Sequence, residues 1–274
     1  MIPVITKKAA EKIWNAKGEI VLSLDLGRSS EKVSVNEGFA LIREQKISLE
    51  QLKGLKDNFY YAVEDSTIKK IAFFADDTNL YYKLLPAEDR PTFTISSTPM
   101  HRHVRITPKE DTVLKIKEIQ PVKGKVLDTC MGLGYTAIMA SKDAEYVITF
   151  ERDKNVLFLA KYNPYSQELF QSTKIEIRQE SVFEGIRKFQ NQYFDRVVHD
   201  PPTFTRSPEL YSDEFYAELF RVMKRNAIMY HYCPLPGKMS GKQFQNTITK
   251  KLKEAGFVNV EYHEKSSGIR AVKK

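Results

Sequence analysis

Two patterns of apolar and polar positions divide the chain. Up to about residue 98, short runs such as EIVLSLDL, KVSV, FALIRE, IKKIAFFA, NLYYKLL and TFTISS have the composition of half-buried strands. Asn36-Glu37-Gly38 is typical of a hairpin turn between two of them. Helical patterns occur over residues 4–16 and in ISLEQLKGL. We therefore predict a small β-rich domain over residues 1–98.

From about residue 108, predicted strands and helices alternate. KVLDTC, YVITFE, KIEIRQ, RVVHD and IMYHYC have the apolar composition of buried strands. Helical patterns separate or follow these strands, near residues 135–142, 153–161, 182–190, 213–224 and 242–255. Such alternation predicts a parallel sheet covered by helices on both faces. VNVEYHE and GIRAVKK follow each other with only a short turn, which predicts a seventh, antiparallel strand.

The helix predicted over residues 213–224 has signals at both ends. Ser212 can cap its first turn, and the acidic side chain of Asp213 favours the positive end of the helix dipole. Lys224 and Arg225 suit the negative end. We therefore expect the helix to continue to Lys224.

Composition limits the class of protein. No apolar run approaches the roughly 18 residues that a membrane span requires, and no N-terminal secretion signal is visible. The cysteines, Cys130 and Cys233, cannot form a disulfide framework, so we expect a cytoplasmic protein. Residues 1–100 carry 14 Lys and Arg against 14 Asp and Glu, so the formal net charge of +8 lies in residues 101–274. This is compatible with an anionic partner such as RNA, and equally with a plain solvated surface.

The segment KVLDTCMGLGYTA predicts a nucleoside-type cofactor site. It reads as strand, glycine turn and helix, with Asp128 at the strand end and Gly132 and Gly134 in the turn. Glu151 follows the next strand, 19 residues after Gly132, where an acidic side chain can bind ribose hydroxyls.

This order of motifs resembles the class I S-adenosylmethionine (SAM) methyltransferases over roughly residues 105–274. The resemblance implies a Rossmann-like α/β fold with a seven-stranded sheet, here over residues 99–274, and SAM as cofactor. Glu180 then lies where such enzymes often place an acid near adenine, and Cys130 replaces an expected glycine. The implied cofactor-binding residues are Asp128, Cys130, Gly132, Gly134, Tyr135, Thr136, Glu151, Arg152 and Glu180.

The segment VVHDPPTFT ends the fourth strand of this domain and resembles the DPP motif of amino-directed methyltransferases. In that motif an acidic or amide side chain and a proline carbonyl accept hydrogen bonds from the target amine. The DPPTF form is similar to a guanine-N7 methyltransferase domain of a bacterial ribosomal RNA enzyme. The resemblance implies N-methylation of a base in transfer or ribosomal RNA. The catalytic residues would be Asp200, Pro201, Pro202, Thr203 and Phe204.

Other stretches, among them LDTCMGLGYTA, NPYS and ELYSDEFY, resemble an archaeal group of predicted methyltransferases with no assigned substrate. ELYSDEFY also resembles the polyamine aminopropyltransferases, which use decarboxylated SAM. In that alternative Asp200, Glu209 and Asp213 would hold a cationic amine. A second alternative is an RNA-binding or assembly factor with a vestigial SAM pocket. The oligomeric state stays open.

Histidines and cysteines suggest further sites. His101 and Arg102 precede the second domain, and we expect them to close the cofactor pocket or to hold the cofactor carboxylate. The spacing of His101, His103, His199 and His231 matches no metal motif, so no metal site is predicted. A nucleophilic role for Cys130 or Cys233 has no motif to support it.

Overall fold

The computed structural model describes residues 1–234 and 240–274, which form two compact units. The first unit comprises residues 1–108 and 155–167, and the second comprises residues 109–154 and 168–274. Residues 155–167 are fixed to the first unit by side-chain contacts, among them a hydrogen bond from the hydroxyl of Tyr162 to Glu64 (3.0 Å). The boundary at residue 98 proposed from the sequence stays a prediction.

The elements are numbered in chain order. The helices are α1 (Lys7–Trp14), α2 (Leu49–Leu52), α3 (Pro108–Glu118), α4 (Tyr135–Ser141), α5 (Lys154–Tyr162), α6 (Gln167–Gln171), α7 (Val182–Gly185), α8 (Asp213–Val222) and α9 (Ser240–Glu254). The strands are β1 (Val4–Ile5), β2 (Gly18–Leu22), β3 (Glu31–Asn36), β4 (Phe39–Ile42), β5 (Gln45–Ser48), β6 (Tyr61–Glu64), β7 (Thr67–Lys70), β8 (Ala72–Ala75), β9 (Leu80–Leu85), β10 (Thr92–Ile95), β11 (Thr98–Pro99), β12 (Lys125–Asp128), β13 (Tyr146–Phe150), β14 (Ile175–Arg178), β15 (Phe194–His199), β16 (Met223–Tyr232), β17 (Val258–His263) and β18 (Gly268–Val272).

The first unit is rich in β-structure, as predicted. It holds three small antiparallel sheets, in the orders β1-β6-β7, β2-β3-β4-β5 and β11-β10-β9-β8. The predicted hairpin is confirmed, because Asn36 pairs with Phe39 across the turn. The helix expected over residues 4–16 is shorter, because Val4 pairs with β6 and the side chain of Thr6 caps α1.

The segment IKKIAFFA is two strands rather than the single strand predicted. The chain leaves one sheet and enters another at Ile71, between β7 and β8. The N–H of Ile71 donates to the Tyr60 carbonyl (2.9 Å), and its carbonyl accepts from the N–H of Leu84 (3.0 Å). The N–H and the carbonyl of Ile71 thus bond to two different segments of the chain. The local pattern of apolar residues does not predict this change of sheet.

The second unit is built on one seven-stranded sheet, in the order β14-β13-β12-β15-β16-β18-β17. The first five strands are parallel neighbours, and β18 is antiparallel to both β16 and β17. The predicted Rossmann-like α/β class and the antiparallel closing strand are therefore confirmed.

Helix α8 ends at Val222, before the residue predicted from its charges. Met223 is fully buried and already pairs with Phe194 of β15, so the chain becomes strand at once. Lys224 is consequently part of β16, where its ammonium bonds to Asp195 (2.7 Å). Sheet pairing overrides the helix-end signal here.

Among the described residues, no helix is both long enough and apolar enough to cross a membrane.

The start of α4 depends on close packing at Gly134. Its φ is +77°, and a Cβ there would lie 2.1 Å from Cδ1 of Leu169. We expect Gly134→Ala to lower the free energy of unfolding by about 1–3 kcal/mol, measured by urea denaturation. In a Leu169→Ala background the clash disappears, so the cost should fall to the backbone strain, about 1 kcal/mol. An equal cost in both backgrounds would contradict this packing account.

Candidate functional site

The register of the sheet gathers three acidic residues at one edge. β12 pairs in parallel with β13 and with β15, and Asp128 faces Thr149 on one side and Val198 on the other. The carboxyl ends of parallel neighbours lie at the same edge of a sheet. Asp128, Glu151 and Asp200, which end or directly follow these strands, therefore share that edge.

Asp128 is fully buried, and its carboxylate is satisfied by two hydroxyl groups. Thr136 of α4 donates to Oδ1 (2.9 Å), and Thr149 of β13 donates to Oδ2 (2.6 Å). Burial raises the pKa of Asp128 to about 7, although both threonines favour the ionised form. Asp128 thus joins the strand end, α4 and β13, and fixes the turn that carries the two glycines.

The glycine turn is tied to Glu151. Gly132 has φ +54°, and its N–H donates to Oε2 of Glu151 (3.1 Å). The N–H of Asp153 donates to Oε1 (3.0 Å). Burial raises the pKa of Glu151 to about 7, and the two N–H groups only partly offset this rise. The carboxylate therefore lies beside the turn, and its predicted role as a ribose acceptor stays a prediction.

Asp200 is held by a lysine that the sequence did not single out. Nζ of Lys115 in α3 lies 2.6 Å from Oδ2 of Asp200 and 2.7 Å from Oδ2 of Asp111. Lys115 and Asp111 are 4% and 2% exposed, whereas Asp200 is 19% exposed. In the sequence this is an ordinary i,i+4 pair on a helix, and nothing in that spacing reveals that both members are buried.

The turn after Asp200, residues 201–206 and here called the elbow, is fixed by a tyrosine. Burial raises the pKa of Tyr211, so its hydroxyl keeps its proton and donates to the Pro202 carbonyl (2.7 Å). The carbonyl of Thr203 accepts from the N–H of Arg206 (2.8 Å), which closes a turn. Phe204 is 51% exposed, with its ring edge-on to Tyr211 at 5.7 Å. About half of this residue is therefore open to solvent.

Arg152 holds the same loop. Its guanidinium donates to Glu209 (2.9 Å), to the hydroxyl of Ser207 (3.1 Å) and to the Arg206 carbonyl (3.2 Å). Arg152 therefore helps to hold this loop in place, a structural role that the sequence did not predict. Its predicted role at the cofactor stays a prediction. Glu180 forms an ion pair with Lys188.

Two neutral histidines pack beneath the elbow. His199 Nδ1 accepts from the Thr129 hydroxyl (2.8 Å), and its Nε2–H donates to the Leu210 carbonyl (3.1 Å). His231 Nε2 accepts from Tyr216 (2.9 Å), and its Nδ1–H donates to a backbone carbonyl. Burial lowers the pKa of His199, and it lowers the pKa of His231 to about 4. Both rings are therefore uncharged at neutral pH.

Neither the histidines nor the cysteines form another recognisable centre. Among the residues that the structure describes, no three His, Cys, Asp or Glu side chains converge on a metal-sized site. Burial raises the pKa of the Cys130 thiol well above its usual range and that of Cys233 to about 12. These thiols are poor nucleophiles at neutral pH.

His101 and Arg102 belong to the first unit. His101 Nδ1 lies 3.0 Å from the hydroxyl of Thr92, and its ring packs edge-on to Phe93 at 5.6 Å. Their expected role at the cofactor stays a prediction.

No protein-family model matches the chain. The chain is 42% identical over 278 residues to the uncharacterized protein MJ1233 of Methanocaldococcus jannaschii, and the alignment covers 98% of this chain and 95% of the relative. The chain belongs to the family of this archaeal protein. The expected relationship to an archaeal protein group is thus confirmed, whereas the resemblance of DPPTF to ribosomal RNA methyltransferases stays a prediction.

Solved structures with a similar fold include spermidine synthases. A spermidine synthase in complex with the transition-state analogue AdoDATO has a TM-score of 0.58 and 20% identity, covering 74% of this chain and 73% of the other. Spermidine synthase from Thermotoga maritima has a TM-score of 0.57 and 19% identity, covering 74% and 72%. At these identities the likeness concerns the fold.

The raised pKa of Glu151 leads to a pH prediction. Below about pH 7 its carboxylate is protonated and is a poorer acceptor for ribose hydroxyls. We expect the affinity for S-adenosylhomocysteine, measured by calorimetry, to rise about threefold to tenfold from pH 6 to pH 8. Glu151→Gln should bind more weakly and without this pH dependence. A slope that persists in Glu151→Gln would assign the effect to Asp128 instead.

Proposed function

We propose that this protein transfers an alkyl group from a SAM-class sulfonium cofactor to an acceptor nitrogen held at Asp200. The observation that carries the proposal is the parallel register of β12, β13 and β15. It brings the glycine turn, Glu151 and Asp200 to one edge of the sheet, where open α/β sheets bind ligands.

The residues at this edge suit a nucleoside cofactor. Gly132 and Gly134 have positive φ, and a glycine turn before a helix lets a ligand approach the backbone. Glu151 would accept from the ribose hydroxyls. Asp128 is fully buried and its oxygens are engaged by Thr136 and Thr149, so these residues would shape the turn rather than contact the cofactor.

When bound, the cofactor supplies an electrophilic carbon: the nitrogen lone pair forms an N–C bond as the C–S bond breaks, and its electrons leave a neutral thioether. Asp200 would accept a hydrogen bond from the acceptor nitrogen and so aim its lone pair. Tyr211 already donates to the Pro202 carbonyl, so Pro201 is the proline whose carbonyl we assign to the acceptor. The proton released after transfer would leave through Asp200 to water.

The ion pairs of the candidate amine-binding acids favour a methyl group over an aminopropyl group as the group transferred. A polyamine acceptor needs carboxylates to hold its ammonium groups, and the candidates were Asp200, Glu209 and Asp213. Glu209 pairs with Arg152 (2.9 Å), and Asp213 pairs with Lys251 (2.9 Å). Asp200 pairs with Lys115. All three acids are therefore already partnered by cations of this chain.

The second candidate function is aminopropyl transfer from decarboxylated SAM. The fold likeness to spermidine synthases favours it over RNA methylation, because the match covers 74% of the chain and so extends beyond the second unit. The β-rich N-terminal part therefore contributes to the likeness. The likeness to spermidine synthases is a likeness of the fold, whereas the ion pairs that favour methyl transfer lie at the candidate site itself.

As acceptor for methyl transfer we propose a base nitrogen of RNA. The net charge of +8 lies in residues 101–274, which is compatible with an anionic partner. Phe204 offers an exposed ring on which a base can stack.

Asp200→Ala tests the proposed reaction. We expect turnover to fall about 10²- to 10⁴-fold, because the acceptor loses its positioning, while the Kd for S-adenosylhomocysteine stays within about threefold. Turnover is measured as transfer of label from methyl-labelled SAM to bulk RNA from cells that lack the protein. A parallel reaction uses aminopropyl-labelled decarboxylated SAM with putrescine and spermidine.

Asp195→Ala is the matched control, because Asp195 lies near the start of the same strand and also pairs with a lysine. It should leave turnover nearly unchanged. Unchanged turnover in Asp200→Ala would remove Asp200 from the mechanism. Transfer only from decarboxylated SAM would establish the second candidate.

A further inference from the structure

Lys115 binds the carboxylate that we assign to the acceptor nitrogen, that of Asp200. Its ammonium contacts the carboxylates of Asp200 (2.6 Å) and Asp111 (2.7 Å), and it lies 4.8 Å from the ring centroid of Tyr232. Two carboxylates and an aromatic face thus surround one buried cation. An ammonium held in this way is fixed in place.

Stability alone does not explain this arrangement. Burying charged groups costs desolvation energy, and apolar side chains of similar volume often stabilise a protein as well or better. Burial would lower the pKa of Lys115, but the attraction of Asp200 and Asp111 outweighs it and the pKa is raised. Lys115 is therefore a permanent positive charge at neutral pH, beside the residue that we assign to the acceptor.

The position of this charge restricts the acceptor. Any nitrogen that hydrogen-bonds to Asp200 shares that carboxylate with Lys115. Two donors on one carboxylate lie roughly 3–7 Å apart, depending on which lone pairs they use, given hydrogen bonds of about 2.9 Å. At that separation a second cation is repelled in a partly buried site, whereas an uncharged N–H group is not.

We propose that Lys115, anchored by Asp111, determines the acceptor class: a nitrogen that carries a hydrogen and is uncharged at neutral pH, such as an exocyclic amine of a nucleobase, in preference to an alkylammonium. This inference rests on the proposed function, because it takes Asp200 as the acceptor-binding residue. Asp111 balances Lys115 in total charge, but the charge in direct contact with Asp200 is the ammonium.

Two cofactor analogues test the proposal without a known acceptor. S-adenosylhomocysteine has a neutral sulfur, and sinefungin carries an ammonium group at the position of the transferred carbon. Calorimetry at pH 7.5 gives the preference for sinefungin, defined as the Kd of S-adenosylhomocysteine divided by that of sinefungin. We expect a preference within about threefold of unity for the wild type, because Lys115 offsets the attraction of Asp200.

The two variants differ in whether the ammonium of Lys115 remains beside Asp200. Lys115→Met combined with Asp111→Asn removes one charge of each sign, leaves Asp200 ionised, and should raise the preference at least about tenfold. Asp111→Asn alone leaves Lys115 in place and should lower the preference below that of the wild type. Lys224→Met is the matched control, because it removes a lysine paired with Asp195 near the start of β15, and it should leave the preference unchanged.

The outcomes separate the two proposals. A wild-type preference above about tenfold, or no change in the double variant while S-adenosylhomocysteine still binds, overturns the role of Lys115. If the double variant does not fold, an unchanged preference in Asp111→Asn overturns it. Failure of the wild type to bind either analogue overturns the proposed function itself, and this inference with it.

Discussion

The parallel pairing of β12 with β15 is the constraint on which the site depends. It places the turn that follows β12 next to the elbow that follows β15, although about 70 residues separate them in the chain. Pairing of β12 with β13 adds Glu151 in the same way. No long-range side-chain contact is needed to bring these groups together, because strand ends in register do so. Side chains then refine the arrangement: Asp128 fixes the glycine turn, and Tyr211 fixes the elbow.

The buried polar groups at this edge are each held by two hydrogen-bonding or ionic partners. Asp128 is held by two hydroxyls, the histidines beneath the elbow are neutral and hydrogen-bonded at both ring nitrogens, and Lys115 lies between two carboxylates. Asp200 raises the pKa of Asp128 and Lys115 lowers it, so these charges interact across the edge of the sheet, although burial has the larger effect. Hydrogen bonds and ion pairs of this kind restrain the positions of these side chains.

Much of this could be read from the sequence, since order along the chain predicts position on a parallel sheet. The glycine turn, the acid after the next strand and the Asp-Pro-Pro elbow were located in this way, and the antiparallel seventh strand followed from two strands joined by a short turn. Features that depend on tertiary contacts could not be predicted. Asp111 and Lys115 have the spacing of a surface pair, the switch of sheets at Ile71 depends on bonds to Tyr60 and Leu84, and α8 stops early because Met223 pairs with β15. The roles of Arg152 and Tyr211 in holding the elbow loop also depend on the fold.

The fold is shared with spermidine synthases, so the fold alone leaves the transferred group open, and our proposal of methyl transfer rests on the charges around Asp200. The most direct measurement of the central claim is calorimetric titration of the protein with SAM and, in parallel, with decarboxylated SAM. The account predicts that SAM binds with a Kd below about 1 mM and that decarboxylated SAM binds at least about tenfold more weakly. Tighter binding of decarboxylated SAM would contradict methyl transfer, and the absence of binding by both would contradict a SAM-class cofactor at this edge of the sheet.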